Sequence, residues 1–120
     1  MSNQIKVNFF NPLTPFREKN IPLAIITNGG GETESSRAAA LNEILSLDSK
    51  DLALKANEVF LCHSPMKPHI ESLGEKIILI TGTGDTNSVM KEYNHSNYLT
   101  VEEYVSLFPH MFCHFFVEEM

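Results

Sequence analysis

A short apolar run that ends in three consecutive glycines limits the folds open to this chain more than any other feature. Residues 23–26 are wholly apolar, and Thr27-Asn28-Gly29-Gly30-Gly31 follows them directly. Such a continuous run is typical of a strand buried on both faces, as in parallel sheets. After the glycines, apolar residues recur at helical spacing to about Leu47, with Thr33 or Ser35 as the N-cap. Strand, glycine turn and helix in this order predict an α/β sheet with right-handed crossovers.

The same order of strand, turn and helix recurs along the rest of the chain. Thr100 and Glu103 have the spacing of a capping box, and Gly74 ends a helical pattern. The predicted fold is a partial three-layer α/β sandwich built on a parallel sheet. Its predicted elements are parallel strands at about 22–27, 59–62 and 77–81, a short strand at 98–99, and helices at 15–19, about 33–47, about 68–73, 87–93 and 101–107.

In such sheets, the loops that follow the carboxyl ends of the strands build the ligand site. Here these loops are residues 27–33, 63–67 and 82–87. The first loop offers the Thr27 hydroxyl, the Asn28 amide and the unhindered backbone N–H groups of the glycines. Groups of this kind cradle an anion such as phosphate, so the loop is a candidate phosphate site, with an ordinary turn as the alternative.

The third loop, residues 82–87, nearly matches the dinucleotide fingerprint G-x-G-x-x-G, with Asn87 at the third glycine. A nucleotide-binding module and a metal-binding Asp85 carboxylate are therefore alternatives to a plain turn. The charge of Asp85 is expected to repel phosphate from this loop. We therefore expect any anion to bind at Thr27–Gly31 and not at residues 82–87.

Other polar side chains carry weaker signals. Lys67 could contact a phosphate, with a solvated lysine as the alternative. His63 and Ser64 are not expected to form a nucleophile–base pair, because adjacent residues on a strand point to opposite faces. Five further side chains are expected at a surface or an interface: Glu32, Glu34, His69, His95 and His110.

Charge and hydropathy argue against several classes of partner. Nine basic against fifteen acidic residues give a formal net charge of -6, and no Lys/Arg cluster is present, which argues against nucleic acid. No apolar run approaches the roughly 20 residues of a membrane span. The polar first twenty residues show neither a secretory signal nor a clear transit peptide.

The two cysteines are each followed by a histidine, giving Cys62-His63 and Cys113-His114. Four such ligands would suit zinc. Adjacent residues do not chelate one ion easily, however, and structural zinc sites use spaced pairs. Free thiols in a reducing compartment are therefore expected.

In their order, these motifs resemble the haloacid dehalogenase superfamily. Ile21-Pro22 leading into Thr27-Asn28-Gly29-Gly30-Gly31 resembles its second motif, most closely in subclass IIA and the cat-eye-syndrome-critical-region hydrolase family. Glu34 and Arg37 open the next helix in the manner of that family, and residues 61–67 resemble its Ser-His-Thr-Pro segment. The resemblance spans residues 12–109 and leaves residues 1–11 and 110–120 unassigned; its later parts are residues 77–82, 89–93 and 98–103.

The resemblance implies a Rossmann-like core for phosphoryl chemistry on a small phosphorylated molecule. Thr27, Asn28 and Gly29 would form its phosphate-binding loop. In that superfamily the aspartate of a D-x-D motif attacks phosphorus, two motifs hold Mg²⁺, and a lysine offsets the phosphate charge.

This chain departs from the family pattern at the residues of catalysis. No aspartate precedes Ile21, and Gly84-Asp85 lacks the second acid that the metal motif requires. We therefore expect a phosphate-binding loop without turnover and without tightly bound Mg²⁺, as in a truncated or degenerate family member. A non-catalytic binding or scaffold protein is the alternative.

The resemblance carries two further expectations. Without the first strand of the family, the sheet has an open edge, which favours self-association. The location is mitochondrial by resemblance, or cytoplasmic.

Overall fold

The computed structural model describes residues 13–47 and 51–111, in which helices and short parallel strands alternate. The helices of this part are α1 Thr14–Glu18, α2 Glu34–Ile44, α3 Lys67–Ser72, α4 Thr86–Glu92 and α5 Val101–Leu107. The strands are β1 Ile25–Ile26, β2 Val59–Phe60, β3 Ile78–Ile80 and β4 Tyr98–Thr100, and short 3₁₀ helices lie at Ala56–Glu58, Ser64–Met66 and Pro109–Met111. The predicted elements are thus present in the predicted order, and the mixed α/β class with parallel strands is confirmed.

The chain divides into two compact units that alternate along the sequence. Within the described residues, the first unit holds 13–27, 34–47 and 51–60, and the second holds 28–33 and 61–111. The boundary falls inside the predicted anion loop, so Thr27 belongs to the first unit, while Asn28 and Gly29 belong to the second.

The first unit contains the parallel pair β1 and β2, with Ile25 opposite Val59 and Ile26 opposite Phe60. The Thr27 N–H extends this pairing by donating to the Phe60 carbonyl oxygen at 3.0 Å. Helix α2 packs against β2, and Val59 is only 2 % exposed. This strand pair therefore holds Thr27 at the end of β1.

Polar contacts also stabilise the first unit. The Asn42 side chain on α2 makes two hydrogen bonds to the Leu54 backbone, accepting from its N–H at 2.7 Å and donating to its carbonyl at 3.0 Å. The Arg17 guanidinium at the end of α1 forms a two-point ion pair with Glu58 and also donates to the Ala53 carbonyl. Since bidentate charge-assisted bonds are among the strongest in proteins, this pair ties α1 to the segment before β2.

The second unit contains the parallel pair β3 and β4, in register from Ile78–Tyr98 to Ile80–Thr100. Helix α5 follows β4 directly, and Thr100 and Glu103 form the predicted capping box. Gly74 lies just beyond α3 with φ +58°, as expected for a glycine that ends a helix. Leu61, Val89, Met90 and Tyr93 form much of the buried interior of this unit.

The prediction that the strands are buried on both faces is wrong. The Ile26 side chain is 81 % exposed and Leu79 is 53 % exposed. Successive side chains of a strand point to opposite faces. Each described sheet has only two strands, so one set of side chains lies inside and the other reaches the surface.

Two predictions about surface side chains are also wrong. His95 is 7 % exposed, and its Nε2 lies 3.1 Å from both the Lys76 and Asn97 carbonyl oxygens, which anchors the turn before β4. Glu34 is likewise buried. Among the described residues, no helix is long and apolar enough to cross a membrane.

Candidate functional site

The part of the glycine loop that lies in the second unit is held through its carbonyl groups. The Gly29 carbonyl oxygen accepts from the Cys62 N–H at 3.1 Å. The Gly31 carbonyl oxygen accepts from the Asp85 N–H at 2.8 Å. Two of the loops that the sequence places after strands therefore meet residues 28–33 within one unit, as a ligand site at the carboxyl ends of parallel strands requires.

Glycine is required here because backbone packs directly on backbone. Gly31 and Gly84 have φ of +75° and +85°, in the left-handed region that favours glycine. A Cβ on Gly31 would overlap the Thr83 carbonyl oxygen, and a Cβ on Gly84 would overlap the Gly31 carbonyl oxygen and lie 2.7 Å from Gly31 Cα. The two glycine loops that sequence reasoning treated as rival sites are therefore one packed structure.

The anchored carbonyls determine where the intervening amide points. The described peptides are all trans, and a trans peptide directs its N–H opposite to its C=O. Because the Gly29 carbonyl faces Cys62, the Gly30 N–H is directed away from Cys62. Within residues 13–47 and 51–111, the N–H groups of Gly30 and Gly31 have no protein acceptor. The loop thus leaves two successive backbone donors without a protein acceptor in the described residues, and an anion-binding nest is built from donors of this kind.

His63 makes a third attachment to the loop. Its Nε2 lies 3.0 Å from the Glu32 carbonyl oxygen, and its Nδ1 lies 2.7 Å from the Tyr93 hydroxyl. A carbonyl oxygen can only accept, so Nε2 carries the proton that is donated to Glu32. In the neutral ring Nδ1 then accepts from the Tyr93 O–H. Because both ring nitrogens are used in this way, the structure does not offer His63 as a zinc ligand, and Cys113 and His114 lie outside the described residues.

Asp85 lies at the start of α4, where its carboxylate has a structural role. Its carboxylate caps α4, accepting from the Ser88 N–H at 3.0 Å and from the Ser88 hydroxyl at 2.5 Å. These hydrogen bonds, chiefly that of the hydroxyl, lower the pKa of Asp85, so the group stays charged at neutral pH. Asp85 therefore serves as the N-cap of α4, and its negative charge stays at the start of that helix.

A groove of about 590 Å³ lies beside the loop within the second unit. Asn28, Gly30, Gly31, His63 and Tyr93 contribute to its lining. Most of its other lining side chains are apolar, including Met66, Ile70, Leu73, Ile78, Val89 and Met90. This volume is in the range of small-molecule sites, where a few polar groups orient a ligand against an apolar wall.

The other polar candidates have structural partners. The Ser64 hydroxyl accepts from the Leu61 N–H at 2.8 Å and so closes a turn. The Lys67 ammonium lies 5.5 Å from the centre of the Tyr93 ring, a cation–π distance. His69 and His110 are exposed, as expected. The sequence did not indicate a role for Tyr93, because no local pattern distinguishes a tyrosine at the end of a short helix.

The described residues do not form a metal centre. No group of three or more His, Cys, Asp or Glu side chains within 13–47 and 51–111 could hold a metal ion. The described residues therefore offer no carboxylate set of the kind that the family resemblance assigns to Mg²⁺.

The sequence also matches a known family. The family model for haloacid dehalogenase-like hydrolases matches residues 11–96, well over half of the 120-residue chain. No curated protein matches the chain in a sequence search. The match includes the triple glycine, the His63 turn and the Gly84 loop. The chain therefore belongs to the haloacid dehalogenase-like hydrolase family.

Proposed function

We propose that this chain binds the phosphate group of a small phosphorylated molecule at the loop that begins with Thr27, Asn28 and Gly29. The open N–H groups of Gly30 and Gly31 are the single observation that carries the proposal. The Gly29 carbonyl, which shares a peptide with the Gly30 N–H, is held by Cys62, and the Gly31 carbonyl is held by Asp85, so this short segment is anchored at both ends without a ligand. Preorganised backbone N–H groups bind anions well because little ordering is left to occur on binding.

The chemistry of the surrounding residues supports a phosphate ester as the ligand. Residues 27–31 contain no acidic side chain. The apolar walls of the neighbouring groove would suit the carbon part of an ester, while the loop takes the charged part. Thr27 is the hydroxyl donor that the resemblance implies, and Asn28 lines the groove.

The alternative of a nucleotide site at residues 82–87 has less support. Gly84 is used to pack against Gly31, and Gly82 lies close to Thr86. Asp85 keeps its charge and is bound to its own helix. The backbone contact with Gly31 explains the glycine at position 84 without a ligand.

We further propose that the chain binds phosphate without hydrolysing its ester. The 120 residues contain no D-x-D motif, so the aspartate that forms the covalent intermediate in the family is missing from them. Within the family, we assign the chain to subclass IIA and the cat-eye-syndrome-critical-region hydrolases. The triple glycine and the His63-Ser64-Pro65 segment support this assignment.

Amide NMR with inorganic phosphate as the probe tests the binding site. We expect the largest shifts at Gly29, Gly30 and Gly31, with a Kd of about 1 mM or weaker, because residues 27–31 contain no positively charged side chain. Sodium chloride at equal ionic strength is the control for screening. Thr27→Ala and Asn28→Ala should each weaken binding, while Lys67→Ala, outside the loop, should not.

A different shift pattern would reverse the assignment. Gly31 and Gly84 are in contact, so small secondary shifts at Gly84 are expected. If the shifts concentrate on residues 82–87 and Gly29–Gly31 stay silent, the nucleotide-binding alternative replaces the present proposal.

A further inference from the structure

We infer that His63 is a positioning residue for the anion loop, acting through the carbonyl of Glu32. This inference rests on the proposed phosphate site, because the segment that His63 anchors follows directly on the N–H donors of Gly30 and Gly31. His63 is 31 residues from Glu32 and 30 from Tyr93 in sequence, yet one imidazole bonds to both. Residues 28–33, the turn after Leu61 and the end of α4 are thereby joined within the second unit.

The backbone that carries His63 is itself held. Leu61 is 2 % exposed, and its N–H donates to the Ser64 hydroxyl. The Ser64 N–H donates to the Leu61 carbonyl at 3.1 Å, and the Met66 N–H donates to the His63 carbonyl at 2.9 Å. A residue that positions another group must have a fixed orientation, and this turn supplies it.

The Tyr93 hydroxyl selects the tautomer that the loop needs. Tyr93 is 3 % exposed, and its O–H lies at hydrogen-bond distance from Nδ1. By donating to Nδ1 it keeps the ring proton on Nε2, where it meets the Glu32 carbonyl. The His63 and Tyr93 rings are tilted by 59° with centroids 5.8 Å apart, so they pack as well as bond.

His63 completes a series of three anchors. The carbonyls of Gly29, Gly31 and Glu32 are bound by Cys62, Asp85 and His63, respectively. Because each trans peptide points its N–H away from its bound carbonyl, the three anchors together orient the amides of Gly30, Glu32 and Thr33. Removing the His63 bond takes one anchor from the peptide of Glu32 and Thr33, while the bonds made by Cys62 and Asp85 remain.

Two substitutions separate the two hydrogen bonds of the ring. His63→Gln places an amide N–H near the position of Nε2 and keeps a donor for Glu32. His63→Asn places a carbonyl oxygen near the position of Nδ1 and keeps only the acceptor for Tyr93. In the full chain, we expect the Gln variant to bind phosphate within about threefold of wild type and the Asn variant to lose about tenfold, which is about 1.4 kcal/mol. Urea unfolding of both variants controls for stability.

The outcomes separate positioning from a purely structural role. If both variants lose affinity in proportion to their loss of stability, or if Asn binds as well as Gln, the inference is overturned. Amide spectra without phosphate give an independent readout. His63→Asn should shift the amide of Thr33, which shares a peptide with the Glu32 carbonyl, while His63→Gln should leave this amide close to wild type. This result would support positioning even if wild-type protein binds no phosphate, so failure of the proposed function is seen separately.

A measurement on the wild-type chain guards against variants that do not fold. Imidazole ¹⁵N chemical shifts identify the tautomer of His63 directly. We expect the Nε2–H form in wild type and a mixture of tautomers in Tyr93→Phe. An Nδ1–H ring in wild type would contradict the inference, because such a ring cannot donate to the Glu32 carbonyl.

Discussion

Replacing Gly84 by alanine tests whether the two glycine loops are packed backbone against backbone. Gly84 has φ +85°, and a Cβ there would overlap the Gly31 carbonyl oxygen. Gly74 is a matched control in the same unit. It also has a positive φ, +58°, but a Cβ there would meet nothing within 4 Å. The two substitutions therefore share the backbone strain and differ in the clash.

The expected losses of stability follow from the backbone strain and the steric clash. A left-handed conformation costs a residue with a Cβ about 1–2 kcal/mol, and the stiffer unfolded chain returns about 0.4–1 kcal/mol. Gly74→Ala should therefore destabilise the protein by about 1 kcal/mol. Gly84→Ala adds overpacking of about 1–3 kcal/mol, because the opposing atoms are backbone and cannot change rotamer. We expect Gly84→Ala to cost about 2 kcal/mol more than Gly74→Ala, roughly a 30-fold difference in the unfolding equilibrium.

Urea unfolding followed by tyrosine fluorescence measures the difference. The chain has no tryptophan, and its three tyrosines, Tyr93, Tyr98 and Tyr104, all lie in the second unit, as do both glycines. Amide spectra of Gly84→Ala should also show a shift at Asp85, whose N–H donates to the Gly31 carbonyl. Equal destabilisation by the two substitutions, within about 0.5 kcal/mol, would refute the close backbone packing and with it the fixed geometry of the loop.

Three other predictions concern acid stability, catalysis and association. Arg17, mainly through its hydrogen bonds, lowers the pKa of Glu58 from 4.5 to about 2. The ionised Glu58 therefore stabilises the folded state above the unfolded pKa, and this stability is lost as the pH falls from about 5 to 2. The loss should reach at most about 3 kcal/mol, and thermal melts of Glu58→Gln should lack this part of the pH dependence. With p-nitrophenyl phosphate and Mg²⁺, the chain should give no turnover above buffer, whereas activity that disappears in Thr27→Ala would contradict the missing nucleophile. Exposed apolar strand residues such as Ile26 and Leu79 should make the chain self-associate or only marginally stable, and a monomeric elution with a cooperative melt well above about 60 °C would argue against this.

Local pattern predicted most of the elements but not which faces they bury. The apolar run before Thr27 indicated a strand and the Thr100–Glu103 pair indicated the start of a helix, and both are present. The prediction that Ile26 and Leu79 are buried is wrong, because the apolar run of a strand does not reveal how many strands pair beside it. The prediction that His95 is exposed is wrong for a similar reason. One of the two carbonyls that its ring contacts belongs to Lys76, which is 19 residues away in sequence.

The sequence alone determined the class of fold, the family and the position of the candidate loop, because these depend on periodicity, turn chemistry and motifs that are local in the chain. Tertiary structure alone decided how the loop is built. The Gly31–Gly84 contact, the His63–Tyr93 hydrogen bond and the Arg17–Glu58 ion pair join residues 53, 30 and 41 positions apart. Contacts at such separations depend on the path of the whole backbone, which brings together groups that no local pattern relates.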